Sequence, residues 1–70
     1  MDIIHKAADI NGCYIRLKTS TLGKTTYYEV SECDRFGHIT RKQFYGTNEK
    51  KNAVVTFNRY IRKAKGGQRV

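Results

Sequence analysis

A chain of 70 residues with 39% hydrophobic content describes one small domain, residues 1–70, with a modest core. No apolar run approaches the roughly twenty residues of a membrane-spanning helix. The start, Met1-Asp2-Ile3-Ile4-His5, lacks the basic and long apolar parts of a signal peptide. A cytoplasmic setting is therefore expected, with Cys13 and Cys33 as free thiols. Net charge is +8 and unevenly spread: residues 1–40 carry five bases and five acids, whereas residues 41–70 carry nine bases and only Glu49 as an acid. Such asymmetry favours a polyanionic partner, although charge also keeps small proteins soluble.

Residues 1–10 fit either a short helical turn after Asp2 or an extended arm. Asn11-Gly12 is a hairpin signal, and a short isolated helix is marginal, so a strand or arm is preferred. From Gly12 to Thr19, Cys13, Ile15 and Leu17 alternate with Tyr14, Arg16 and Lys18, the pattern of a half-buried strand. Thr19 to Lys24 reads as a polar loop with Gly23 at its turn. Thr25 to Cys33 reads as the next strand, with Tyr28 and Val30 inward and Tyr27, Glu29 and Ser31 outward. Opposing Leu17 with Tyr28 and Ile15 with Val30 sets Arg16 across from Glu29.

Asp34-Arg35-Phe36-Gly37 is a turn signal. The strand from His38 to Tyr45 alternates poorly: Phe44 inward brings Lys42 with it, and Ile39 inward brings Arg41. A bulge near Thr40 resolves the conflict. With Phe44 taken as buried, Arg41, Gln43 and Tyr45 face outward.

Glu49 to Lys65 has the clearest periodicity. Ala53, Val54, Phe57, Tyr60, Ile61 and Ala64 line one side of a helix. Thr47 or Asn48 is placed to cap its start and Gly66-Gly67 to end it, leaving residues 66–70 as a frayed tail. Opposite the apolar stripe stand Lys51, Asn58, Arg59, Arg62 and Lys63, with Val55 among them and no acid after Glu49.

The expected fold is α+β in β-β-β-α order, a three-stranded antiparallel sheet packed on one C-terminal helix, with residues 1–10 as an arm or fourth strand. Phe57 and Ile61 are expected to pack on Ile15, Leu17, Val30 and Phe44, each large side chain contributing roughly 1.5–3 kcal/mol.

Chemistry finds little footing. His5, Cys13, Cys33 and His38 are zinc-ligand types but lack close paired spacing, so buried thiols and surface imidazoles explain them better, and no metal or cofactor is expected. Cys33 and His38 lack an orienting third group, and the acids are not paired. Gly23-Lys24-Thr25 ends like a phosphate loop without its first glycine or following helix. An enzyme is not expected.

Binding remains. Tyr14, Arg16, Lys18, Tyr27, Arg41, Gln43 and Tyr45 would interleave aromatics with bases on the outer sheet face, and Lys42 with the helix row Lys51, Arg59, Arg62 and Lys63 would attract phosphates. The bland readings are ordinary strand composition and a solvated helix face. Three strands and a helix over residues 12–65 resemble the amino-terminal arm-binding domains of tyrosine integrases and the plant AP2 domains, in which the sheet enters the DNA major groove. Tyr27-Tyr28, Arg35-Phe36-Gly37, Phe44, Ala53, Phe57 and Gly66 are similar to the pattern of the WGR domain of DNA-damage enzymes, although its Trp-Gly-Arg is absent. The expectation is a basic domain, monomer or homodimer, that binds nucleic acid, DNA before RNA, contacting phosphates and bases through its sheet face with electrostatic support from the basic helix. The alternative is a phage or mobile-element accessory module whose partner is an acidic protein.

Overall fold

The computed structural model describes residues 3–66. Four strands, β1 (Ile3–Ile10), β2 (Cys13–Leu22), β3 (Thr25–Cys33) and β4 (Ile39–Gly46), form one antiparallel sheet in the order β1-β2-β3-β4. A 3-10 turn, Thr47–Glu49, leads into helix α1 (Lys50–Gly66), which packs across one sheet face. Of the expected arm or strand at 1–10, residues 3–10 form a fourth strand and 1–2 lie outside the described residues; the fold is a small α+β domain. Among the described residues no helix is long and apolar enough to cross a membrane. Of the tail expected at 66–70, Gly66 belongs to α1; 67–70 lie outside the described residues.

Two tight turns set the meander. Asn11 and Gly12 both have positive φ, 55° and 86°, as a type I′ hairpin requires. At Gly23 φ is 62°, and Leu22 pairs directly with Thr25. The expected loop over 19–24 is therefore strand up to Leu22, closed by the two residues Gly23-Lys24. Consequently the β2–β3 register lies two residues from the expected one. Leu17 pairs with Val30, Ile15 with Glu32, Arg16 with Ser31 and Lys18 with Glu29. A shift of two leaves every side chain on its expected face.

The core is Ile15, Leu17, Val30, Ala53, Phe57 and Tyr60, with Tyr28, Tyr45, Val54, Ile61 and Ala64 packed around it. Strand β4 meets it through a bulge: Glu32 and Cys33 are consecutive, yet they pair with Arg41 and Ile39, leaving Thr40 as the extra residue. The expected bulge is present, but the faces beyond it are reversed. Phe44 is 54% exposed on the uncovered side. Tyr45 turns to the helix, where its hydroxyl meets that of Thr56. Arg41 lies on the same side, its Nε 3.0 Å from Glu32 Oε1 and its guanidinium over the Tyr60 ring. The polar tips of Tyr45 and Arg41 on the covered side thereby have partners, and the exposed Gln43 reaches solvent.

The start of α1 also differs from expectation. Neither Thr47 nor Asn48 makes a side-chain cap; instead the Gly46 N–H donates to the Glu49 carboxylate at 3.0 Å. At the far end Asn11 Nδ2 donates to the Ala64 carbonyl at 3.3 Å, tying the first hairpin to the last helical turn.

The β3–β4 turn is organised by Asp34. Its carboxylate accepts from the N–H groups of Phe36 and His38, each at 2.9 Å. The His38 N–H, then that of Phe36, hold its pKa below the ordinary 3.8. A lowered folded value stabilises the protein above the unfolded pKa, and the gain disappears as pH falls through the folded one. Asp34→Ala should therefore be less stable than the parent at neutral pH. The two denaturation midpoints should converge as pH drops below about 4. A gap that persists unchanged into acid would contradict this.

Candidate nucleic-acid interface

Helix α1 buries Ala53, Thr56, Phe57 and Tyr60 against the sheet. The same periodicity that inserts those residues turns Lys50, Lys51, Arg59, Arg62, Lys63 and Lys65 to solvent, with Val55 and Asn58 between them. These six cations span about 22 Å of helix at 1.5 Å per residue. Among the described residues none of them is in an ion pair. Lys50 and Lys65 add to the expected Lys51, Arg59, Arg62 and Lys63; at about 100° per residue Lys50 and Lys63 stand on the two flanks and the other four lie between them. Their signal was present in the sequence as flanking lysines of the same helix.

The uncovered sheet face is chemically different. Residues paired across antiparallel strands share a face, so the ladders define transverse rows. One row is Ala7, Arg16, Ser31 and Lys42; the next is Ile4, Lys18, Glu29 and Phe44. Arg16 Nε donates to Ser31 Oγ at 3.2 Å, and Lys18 Nζ lies 3.5 Å from Glu29 Oε1. The side chains of Lys18 and Glu29 retain only 13% and 8% of their exposure. Beside them Tyr27 packs edge-to-face on Phe44 with ring centres 5.3 Å apart, and the Lys42 ammonium stands 5.5 Å from the centre of the Phe44 ring.

The structure divides the expected contact set. Tyr14, Arg16, Lys18, Tyr27 and Lys42 share the uncovered sheet face, but its two inner bases are already engaged. Arg41, Gln43 and Tyr45 do not join them. The bulge at Thr40 puts these three on the helix side, replacing them outside with Lys42 and Phe44. The helix row lies on the opposite surface of the molecule, so one straight duplex cannot lie along both surfaces at once.

The zinc-ligand types remain dispersed. Cys33 pairs with Tyr14 on the uncovered face, whereas Cys13, adjacent to Tyr14, projects to the helix side. The cysteines therefore cannot bridge without reversing a strand. Burial, then a hydrogen bond with Glu32, raises the Cys13 pKa and keeps that thiol protonated. His5 sits at Thr19 and Tyr28, and His38 in the Asp34 turn. No cluster of three or more His, Cys, Asp or Glu able to hold a metal occurs among the described residues.

No protein-family model, curated protein or solved structure matches this chain. The functional reading therefore rests on the two surfaces themselves.

Proposed function

We propose that this domain binds nucleic acid, duplex DNA in preference to RNA, and that the outer face of α1 makes the phosphate contacts. The observation that carries the reading is the sorting of the bases. Arg16, Lys18 and Arg41 on the sheet have hydrogen-bond or acidic partners, whereas the six on α1 have no acidic partner among the described residues. Like charges spaced three and four apart, such as Arg59 with Arg62 and Lys63, cost an isolated helix a few tenths of a kcal/mol per pair. A polyanion laid along the row removes that cost and releases its own counterions.

Shape narrows the class. The row holds Val55 and Asn58 but no aromatic side chain on which an unpaired base would stack. The B-DNA major groove admits a helix, whereas the A-form RNA groove is too narrow. Titrating labelled duplex DNA, single-stranded DNA and duplex RNA tests the reading. Duplex DNA should bind tightest. With about four to six phosphates neutralised, its affinity should fall roughly 10²–10³-fold between about 50 and 200 mM salt. Binding absent at micromolar protein, or indifferent to salt, would overturn the proposal.

A further inference from the structure

The uncovered sheet face is the second feature that asks for a partner. Five large hydrophobic residues are exposed there: Ile4 (53%), Tyr14 (36%), Leu22 (74%), Ile39 (48%) and Phe44 (54%). Leu22, Tyr27 and Phe44 line a shallow apolar depression between them. Charge on this face is nearly balanced, with Asp9 and Glu29 against Arg16, Lys18 and Lys42. Nucleic acid therefore has little electrostatic reason to settle here. The Phe44 ring, engaged by both Lys42 and Tyr27, is also poorly placed to stack on a base.

We infer that the occupant is a second copy of this chain, packed sheet against sheet about a two-fold axis running along the strands. The row Ile4, Lys18, Glu29, Phe44 carries the inference. Rotation about that axis reverses the row left to right. It sets Ile4 over Phe44 of the second copy and Phe44 over its Ile4, while the Lys18–Glu29 pair, closed within each copy, brings no unbalanced charge to the centre. The face is thus its own complement, as an isologous interface requires. In the adjacent rows Tyr14 meets Cys33 of the other copy and Lys42 its Ala7, with Asp9 and Ile39 opposed at the rim.

Area and charge agree with this arrangement. Four strands about 4.8 Å apart and about eight residues long give a footprint near 500 Å² per copy, hence about 1,000 Å² in total. That is the lower bound of specific interfaces and fits a dissociable dimer. Two sheets packed about 10 Å apart leave the helices on the outer surfaces. The two cationic rows then lie well over the roughly 8 Å Debye length from one another, so the charge of +8 per chain does not oppose assembly.

The test is sedimentation of the intact chain after nuclease treatment, at about 100 µM protein and about 0.15 M salt. The parent should sediment as a dimer of the 8.1 kDa chain. Ile4→Lys and Phe44→Glu should each weaken the dimer at least about tenfold, because each places a charge against an apolar residue. The double variant should regain it, in a salt-sensitive manner. Within one copy positions 4 and 44 occupy opposite edge strands, so rescue can arise only between copies. Leu22→Lys, at the most exposed of these positions, provides an independent disruption, and far-UV circular dichroism verifies folding throughout. A monomeric parent, a dimer indifferent to all three single changes (as pairing through strand edges would give), or singles that dissociate without rescue would each overturn the inference.

Discussion

Changing Arg59 and Arg62 together to glutamate should reduce duplex-DNA affinity on the order of 100-fold near 0.1 M salt and lower the salt slope by about two or more. The comparison variant is Lys24→Glu with Lys42→Glu, exposed on the turn and uncovered face. Both pairs alter net charge equally, so the general field changes alike and only location differs. Affinity for the second pair should remain within about tenfold of the parent. Folding should not confound the result, because all four side chains are exposed and such sites usually shift stability by less than about 0.5 kcal/mol. A glutamate at position 59 even precedes Lys63 by four residues, a favourable helical pair. Equal losses from the two pairs would mean attraction without a defined face; a larger loss from Lys24 and Lys42 would move the interface to the sheet.

Parity governs how much of this was legible in the sequence. Thr19-Ser20-Thr21 resembles a loop in composition, so β2 was expected to end early and its register was misplaced by two residues. Because side chains alternate with period two, Ile15, Leu17, Tyr28 and Val30 still fell on their correct faces. At Thr40 the displacement is one residue, and it inverted the assignments of Arg41 to Tyr45. The sequence displayed the conflict between Ile39 and Phe44 but not its resolution. That resolution depends on Thr56 standing near Tyr45 and Glu32 near Arg41, which are contacts between distant elements. The helix row was legible because a single element creates it. Which sheet bases are already engaged was not, since Lys18 finds Glu29 only through the tight turn at Gly23-Lys24. Those pairings engage the sheet bases Arg16, Lys18 and Arg41 and leave the helix cations to an external partner.

Phe57→Ala should come close to unfolding the domain, while Phe44→Ala should not. Phe57 is 6% exposed within the central cluster, and the Lys6 ammonium lies 5.9 Å from the centre of its ring. Replacing a buried phenylalanine by alanine costs about 3–5 kcal/mol, the loss of transfer energy being increased by the cavity left behind. At 0.05–0.15 kcal/mol per residue, a domain of this size holds only about 3.5–10 kcal/mol. The neighbouring Ile15, Leu17 and Val30 project from the paired central strands β2 and β3, and cannot collapse into the space without moving the sheet. Chemical denaturation should therefore show a midpoint strongly lowered or lost at 25 °C. Phe44, 54% exposed and supported from one side by Tyr27, should cost under about 1.5 kcal/mol by the same measurement. The contrast tests the bulge itself, because a β4 without Thr40 looped out would put Phe44 beneath the helix and make the two substitutions comparably severe. If Phe44 also seats a second copy, its variant should show a stability deficit that grows with protein concentration, whereas that of Phe57 should reflect mainly the core of a single chain.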